Sequence, residues 1–162
     1  MECPDYKRCG KGKFYPCRLC HDEVHFDNEL DPKKNHQLNR HAVINVKCLR
    51  CSTEQPKGPT CINCKEDFSL YFCSICCLYD DKGESKGIFH CDGCGICRVG
   101  GRENFFHCDT CQCCLSIHMK ASHKCLSERF KQDCPVCMQD LQTSTSPVQV
   151  LRCGHAMHSN CM

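Results

Sequence analysis

Apolar positions along this chain come in short bursts. HAVINV at 41–46 and SLYFC at 69–73 read as brief strands. No segment repeats apolar residues at the spacing of a long amphipathic helix, and none approaches the ~18 residues of a membrane span. LSERFKQD at 126–133 reads as a short helix or linker, and TSTSP at 143–147 as a turn or loop. The pattern predicts a small, irregular, multi-domain protein of β-hairpins and knuckles, with little helix and no large apolar core.

Composition says what replaces that core. Of 162 residues, 23 are cysteine and 10 histidine; there is no tryptophan, and aromatics make up 7%. Cysteine supplies much of the nominal 41% hydrophobic fraction, so burial alone would struggle to offset the entropy of ordering the chain. Disulfides or zinc would have to supply the rest. Zinc is favoured by three features. The opening MECPDYKRCGKGKFYPC is polar and no signal segment. The cysteine count is odd, and most cysteines fall in Cys-x2-Cys pairs with histidines nearby. Zinc-bound thiols suit the reducing cytoplasm and nucleus, the expected location. Net charge is +2, from 21 basic and 19 acidic residues, which argues against a nucleic-acid partner; no membrane partner is expected either. The acidic run in YDDKGESK reads as a solvated loop.

Seven pairs punctuate the chain: Cys17/Cys20, Cys48/Cys51, Cys61/Cys64, Cys73/Cys76, Cys91/Cys94, Cys108/Cys111 and Cys134/Cys137. A Cys-x2-Cys turn directs two thiolates at one ion, and two such turns close a tetrahedron. Within the pairs lies a repeat: IFHCDGCGIC at 88–97 returns as FFHCDTCQCC at 105–114. Residues 70–126 offer Cys73, Cys76, His90, Cys91, Cys94, Cys97, His107, Cys108, Cys111, Cys114, His123 and Cys125 as ligands. That is enough for three sites with none left over. Cys77 and Cys113 read as packed or sulfur-rich surface positions and His118 as a solvated imidazole. In an extended segment a histidine next to a cysteine points the other way, so ligands of neighbouring sites are free to interleave; which thiol shares which ion stays open. Phe89, Phe105 and Phe106 are expected to pack between turns.

The C-terminal stretch carries the pattern Cys134-x2-Cys137-x15-Cys153-x-His155-x2-His158-x2-Cys161. It resembles the first six ligands of a RING finger with two central histidines; the final Cys-x2-Cys of that pattern does not follow, since the sequence stops at Met162. Upstream, CRLCHDE at 17–23, HQLNRH at 36–41, CLRC at 48–51 and QPKGPTCINC resemble a CHY-type zinc finger. YFCSIC, FHCDGCGICRVG, NFFHCDTCQCCL and HKCL resemble a CTCHY-type finger. The order is that of the CHY and RING finger domain-containing ubiquitin ligases. The resemblance implies a CHY finger over 1–66, a CTCHY finger over 70–126 built as a zinc-stapled left-handed spiral, and a partial RING over 134–162.

There are departures from the family. Its opening Cys-x-His-Tyr is CPDY here, with Asp5 in place of the histidine, and Cys9 stands where the family has more cysteines. The expected N-terminal sites are therefore Cys3, Asp5, Cys17 and Cys20, with a carboxylate that zinc accepts, and Cys9, His21 and His36, completed by His25 or water. His41 reads as an ordinary surface or packed histidine. Cys48, Cys51, Cys61 and Cys64 match fully. About five complete sites are expected, with two N-terminal sites in question and Cys153 and His155 as half of a second RING site.

The family implies ubiquitin transfer from a conjugating enzyme to protein substrates, for degradation by the proteasome. A RING acts by positioning a charged partner rather than by a nucleophile of its own. The partners implied are the conjugating enzyme, ubiquitin, and substrates held by the CHY and CTCHY fingers. Val136 and Leu151 are candidates for docking the conjugating enzyme, or for small-core packing. With half a site missing, the chain by itself is expected to be a weak ligase, cut short inside the RING. The alternative is a non-enzymatic zinc scaffold or transcriptional adaptor. Zinc hydrolysis is disfavoured by closed ligand sets, and thiol redox chemistry because the thiolates are occupied.

Overall fold

The computed structural model describes residues 1–125, 127, 131–142, 144, 146, 148–151, 153 and 155–162, apart from the side chains of Tyr6 and Glu84. Half of the linker expected at 126–133 and three of the five residues of the loop expected at 143–147 fall outside these residues. The chain divides into two units, Met1–Glu84 and Ser85–Met162. The first unit takes in the expected 1–66 region and the first hairpin of the 70–126 region. The second unit holds the tandem repeat and the C-terminal pattern.

In the first unit, the chain enters through a bridge between Glu2 and Phe14, with the Cys3 amide donating to the Lys13 carbonyl at 3.0 Å. Two short helices follow, α1 (Tyr6–Cys9) and α2 (Arg18–Asp22), the latter running on into a π-helical turn over Glu23–Asp27. Strands β1 (Asn45–Lys47) and β2 (Glu54–Pro56) pair, as do β3 (Tyr71–Cys73) and β4 (Leu78–Asp80). The strand expected from HAVINV starts only at Asn45. Asn39 accepts the His41 amide and caps a 3-10 turn over Arg40–Ala42, which takes the first residues. Val43 instead packs with Leu38 and Cys77 in a small buried cluster.

The second unit repeats one device. Strands β5 (Phe89–Cys91) and β6 (Ile96–Arg98) form a hairpin, then β7 (Phe105–Cys108) and β8 (Cys113–Ser116), then β9 (Val148–Val150) and β10 (Ala156–His158). All five sheets of the described residues are two-stranded and antiparallel. Such hairpins are marginal in water by themselves. The apolar interior is correspondingly thin: among the described residues, eleven of the seventeen buried apolar ones are cysteines. Phe89 and Phe105 stack across neighbouring hairpins with centroids 6.0 Å apart, and Phe106 packs on the Cys108–Leu115 cluster.

The turns share an unusual backbone. Ser52, Lys65, Cys77, Gly95, Gln112 and Met138 all have positive φ, between 47° and 68°. Each directly follows the second cysteine of a Cys-x2-Cys pair. For a residue with a side chain that conformation costs about 1–2 kcal/mol. At four of these turns the amide of that residue bonds back to the carbonyl of the first cysteine, from Ser52, Lys65, Gly95 and Met138, at 2.8–3.1 Å. Each turn thus folds both thiols of the pair to one side. Cys17/Cys20 is the exception, because His21 continues into helix α2 instead.

Candidate metal centres

In the N-terminal centre the side chains of Cys3, Cys9, His21 and His36 converge; Cys3, His21 and His36 are buried and Cys9 is half-buried. Cys9 Sγ lies 3.3 Å from Nε2 of both His21 and His36, and Cys3 Sγ lies 3.7 Å from His36 Nε2. The far nitrogens are held from behind. His21 Nδ1 is 2.9 Å from Asp22 Oδ1, and His36 Nδ1 is 2.6 Å from the Lys34 carbonyl. Such bonds fix the tautomer that leaves the Nε2 lone pair for a metal. Asp22 also accepts the Leu38 amide at 2.7 Å, so one carboxylate orders both the ligand and the chain leading out of His36.

The expected N-terminal sets are therefore dealt out differently. Cys3, expected with Cys17 and Cys20, completes the set of Cys9, His21 and His36. Its backbone amide is pinned to the Lys13 carbonyl. His25, expected as a possible fourth ligand, stands behind the centre: its Nε2 is 2.6 Å from the Tyr15 hydroxyl, which in turn lies 3.7 Å from Cys9 Sγ. Asp5 gives its carboxylate to Arg8, at 3.1 Å from both the amide and Nε. Cys17 and Cys20 remain as a pair, with sulfurs 2.9 Å apart. His41 is exposed, its Nδ1 3.1 Å from the Ile75 carbonyl.

Cys48, Cys51, Cys61 and Cys64 form a four-thiol centre in the same unit. Cys48 and Cys64 are 3.7 Å apart and Cys51 and Cys61 3.5 Å apart. Buried Gln55 ties the two turns together, donating to the Thr60 carbonyl and accepting the Ile62 amide. Cys73 and Cys76 form a turn closed by the Cys76 amide on Cys73 Sγ.

The tandem repeat resolves how the ligands of the second unit interleave. Across β7 and β8, His107 faces Cys114, and these two meet Cys91 and Cys94 from the preceding hairpin. His107 Nδ1 lies 3.6 and 3.3 Å from the two thiols, and Cys94 lies 3.6 Å from Cys114. Cys108 and Cys111, in turn, meet His123 and Cys125. His90 and Cys97 are the equivalent cross-strand pair on β5 and β6, 3.8 Å apart. Cys77, in the first unit, and Cys113, in the second, are buried thiols; burial pushes the Cys113 thiol up to about 12. His118 is exposed. Arg98 reaches into the sulfur cluster, its guanidinium donating to Cys94 Sγ at 3.6 Å.

At the C-terminal end, Cys137 Sγ is 3.2 Å from His158 Nδ1, and Cys161 packs against the cluster of Cys134, Leu141 and Ala156. Leu141 and Ala156 bury Cys134 beneath them. Cys153 and His155 are exposed, 3.4 Å apart. Val136 is 59% exposed on the turn between Cys134 and Cys137, whereas Leu151 is half-buried and donates its amide to the His155 carbonyl.

The sulfur spacing of the donor sets fits zinc. A tetrahedron with Zn–S of ~2.3 Å has an S···S edge of about 3.8 Å, and shorter Zn–N bonds bring S···N edges to about 3.6 Å. The sulfur pairs named in these centres, at 3.5–3.7 Å, lie close to that edge. Hydrogen bonds from Thr53 hold Cys51 down to about 5. In the same cluster the Glu66 amide favours the Cys64 thiolate, yet burial and bonds to Cys51, Cys61 and Cys48 drive that thiol up to about 12. Cys108 is likewise held near 6, chiefly by the Cys111 amide, while Cys125 is driven up to about 11 by Cys108. Thiols this close disfavour one another's ionisation, a repulsion that a bound cation would relieve.

The residues that sequence reasoning passed over are those behind the ligands: Asp22, Gln55, Arg98, Asp92 and Asp109. The last two carboxylates lie 3.6 Å from Nε2 of His90 and His107. The signal was present, since His-Cys-Asp recurs in both repeats and Cys-His-Asp occurs at 20–22.

Short hairpins, little helix and clustered Cys/His donors define a protein built of small zinc-stabilised modules. Residues 4–71 match the CHY zinc finger family model. The chain is 44% identical over 166 residues to a protein named E3 ubiquitin-protein ligase SRFP1 from Oryza sativa subsp. japonica, covering 98% of this chain and 60% of that one. It is 43% identical to E3 ubiquitin-protein ligase RZFP34 of Arabidopsis thaliana, covering 98% of this chain and 56% of the relative. Zinc finger protein BRUTUS of Arabidopsis thaliana is 38% identical over 98% of this chain, which spans 12% of that protein. The chain thus spans 60% or less of the length of each of these relatives. No helix among the described residues is long and apolar enough to cross a membrane.

Proposed function

We propose that this chain is the zinc-finger portion of a RING-type ubiquitin-protein ligase, in which the C-terminal centre docks a ubiquitin-conjugating enzyme and the upstream modules hold protein substrates for proteasomal degradation. Similarity over nearly the whole chain to proteins named ubiquitin ligases carries the reading. The zinc ions would be structural. Each centre named above offers four protein donors, which leaves no position for a reacting water. The chain's own contribution is a shaped surface. Val136 stands exposed between two ligands on a turn whose backbone a metal would fix, with Met138 exposed beside it. A side chain in that position is suited to contact with a partner, and catalysis would come from holding the charged partner in a reactive orientation.

The test is discharge of ubiquitin from a charged conjugating enzyme to free lysine, using a full-length protein that contains these residues. The expected result is acceleration by the wild type and at least tenfold less by Val136→Glu at unchanged zinc content, in keeping with the weight that a few anchor residues carry in interfaces. A zinc-loaded protein that accelerates discharge from no member of a conjugating-enzyme panel would overturn the reading.

A further inference from the structure

Cys17 and Cys20 look like the other six pairs in sequence and differ from them in structure. In those pairs the residue after the second cysteine turns left-handed and folds both thiols toward a shared centre. Here the next residue is His21, within helix α2. Cys17 occupies the cap position with extended backbone, and the Cys20 amide donates to its sulfur at 3.2 Å. The two sulfurs are 2.9 Å apart, well inside the ~3.8 Å edge that two thiolates sharing a tetrahedral zinc require. The sulfur pairs named in the metal centres stand at 3.5–3.7 Å. The partners expected for this pair are engaged elsewhere, Cys3 in the N-terminal centre and Asp5 with Arg8.

We propose that Cys17 and Cys20 form a redox couple, a dithiol that oxidises to an intrachain disulfide while the zinc centres stay loaded. The co-reactant is a small disulfide of the glutathione class. Cys17 lines a cavity of about 780 Å³ in the first unit, whose wall carries four cations, Arg18, Arg40, Lys47 and Arg50, against two carboxylates, Glu66 and Asp67. These cations suit the carboxylates of such a molecule. Cys17, whose sulfur accepts the Cys20 amide, attacks one sulfur of the small disulfide. That S–S bond breaks, and one glutathione leaves as a thiolate and takes up a proton. Cys20 then gives up its proton and attacks the Cys17 sulfur of the mixed disulfide, releasing the second glutathione as a thiol. Two cysteine thiols are oxidised and one small disulfide is reduced to two thiols. Two electrons and two protons pass between them. The inference does not depend on the ligase reading.

The sequence supplies its own reporter. Arg18 lies between the two cysteines, so trypsin cuts there, and only a disulfide keeps peptides 14–18 and 19–33 joined. Zinc-loaded protein is equilibrated in mixtures of reduced and oxidised glutathione, quenched by alkylation and digested. The expected result is the joined peptide pair as the main oxidised species, with zinc content unchanged. Cys20→Ser is expected to stop at a mixed disulfide between Cys17 and glutathione. Resistance of both thiols to oxidation and alkylation in the loaded protein would overturn the proposal. So would loss of one zinc per chain in Cys17→Ser, or a disulfide that forms only after a chelator has removed the metal.

Discussion

Asp22 offers the sharpest test of how the N-terminal centre is held. It is 8% exposed, and one oxygen accepts from both His21 Nδ1 and the Leu38 amide. Asp22→Ala removes both bonds. Losing the carboxylate behind a metal-binding histidine typically costs about 10–100-fold in metal affinity, or about 1.4–2.7 kcal/mol. The Leu38 amide, now buried without an acceptor, adds about 1–3 kcal/mol against folding of the first unit. Asp22→Asn keeps an oxygen for both donors but loses the charge, and falls between the two. Competition with a chelator of known zinc affinity measures the loss, and the ring resonances of His21 and His36 identify the site. The four-thiol centre at Cys48, Cys51, Cys61 and Cys64 serves as the internal control. The reasoning fails if Asp22→Ala releases zinc from the N-terminal centre no more readily than the wild type, or if the control centre weakens equally.

Two further outcomes follow from the same geometry. Structural zinc in small modules is worth about 10–16 kcal/mol per site, so stripping the metal should collapse the dispersed NMR spectrum, and metal analysis should return at least five zinc ions per chain; three or fewer would contradict the ligand sets. Lys65 adopts φ 61° on an exposed turn, so Lys65→Gly should gain about 0.5–1 kcal/mol once the entropy cost of glycine is subtracted, and a β-branched residue there should lose stability, both read from urea unfolding at saturating zinc.

The ligands themselves were legible because a Cys-x2-Cys turn is local, its geometry set by four residues. Their partners were not. Period-2 alternation says that His107 and Cys108 face opposite ways, but not that His107 reaches Cys91 and Cys94 while Cys108 reaches His123; that depends on how one hairpin lies against the next. The N-terminal centre was harder still. Cys3 joins Cys9 because a backbone bond to Lys13 folds the entry segment back, and nothing in the spacing encodes that bond. Val136 was open to two readings, docking or packing, and its exposure is the kind of quantity that spacing does not carry.

The interleaving in the second unit makes its metal ions links in a chain rather than independent rivets. The ion expected at Cys91, Cys94, His107 and Cys114 would tie the turn of one hairpin to the strands of the following one. Its loss would free both, while the apolar cluster around Leu115 is too small to hold them. Denaturation of such a molecule is better pictured as a staircase than as a single cliff. Each tread is the affinity of one ion, and the order of descent records which hairpin leans on which.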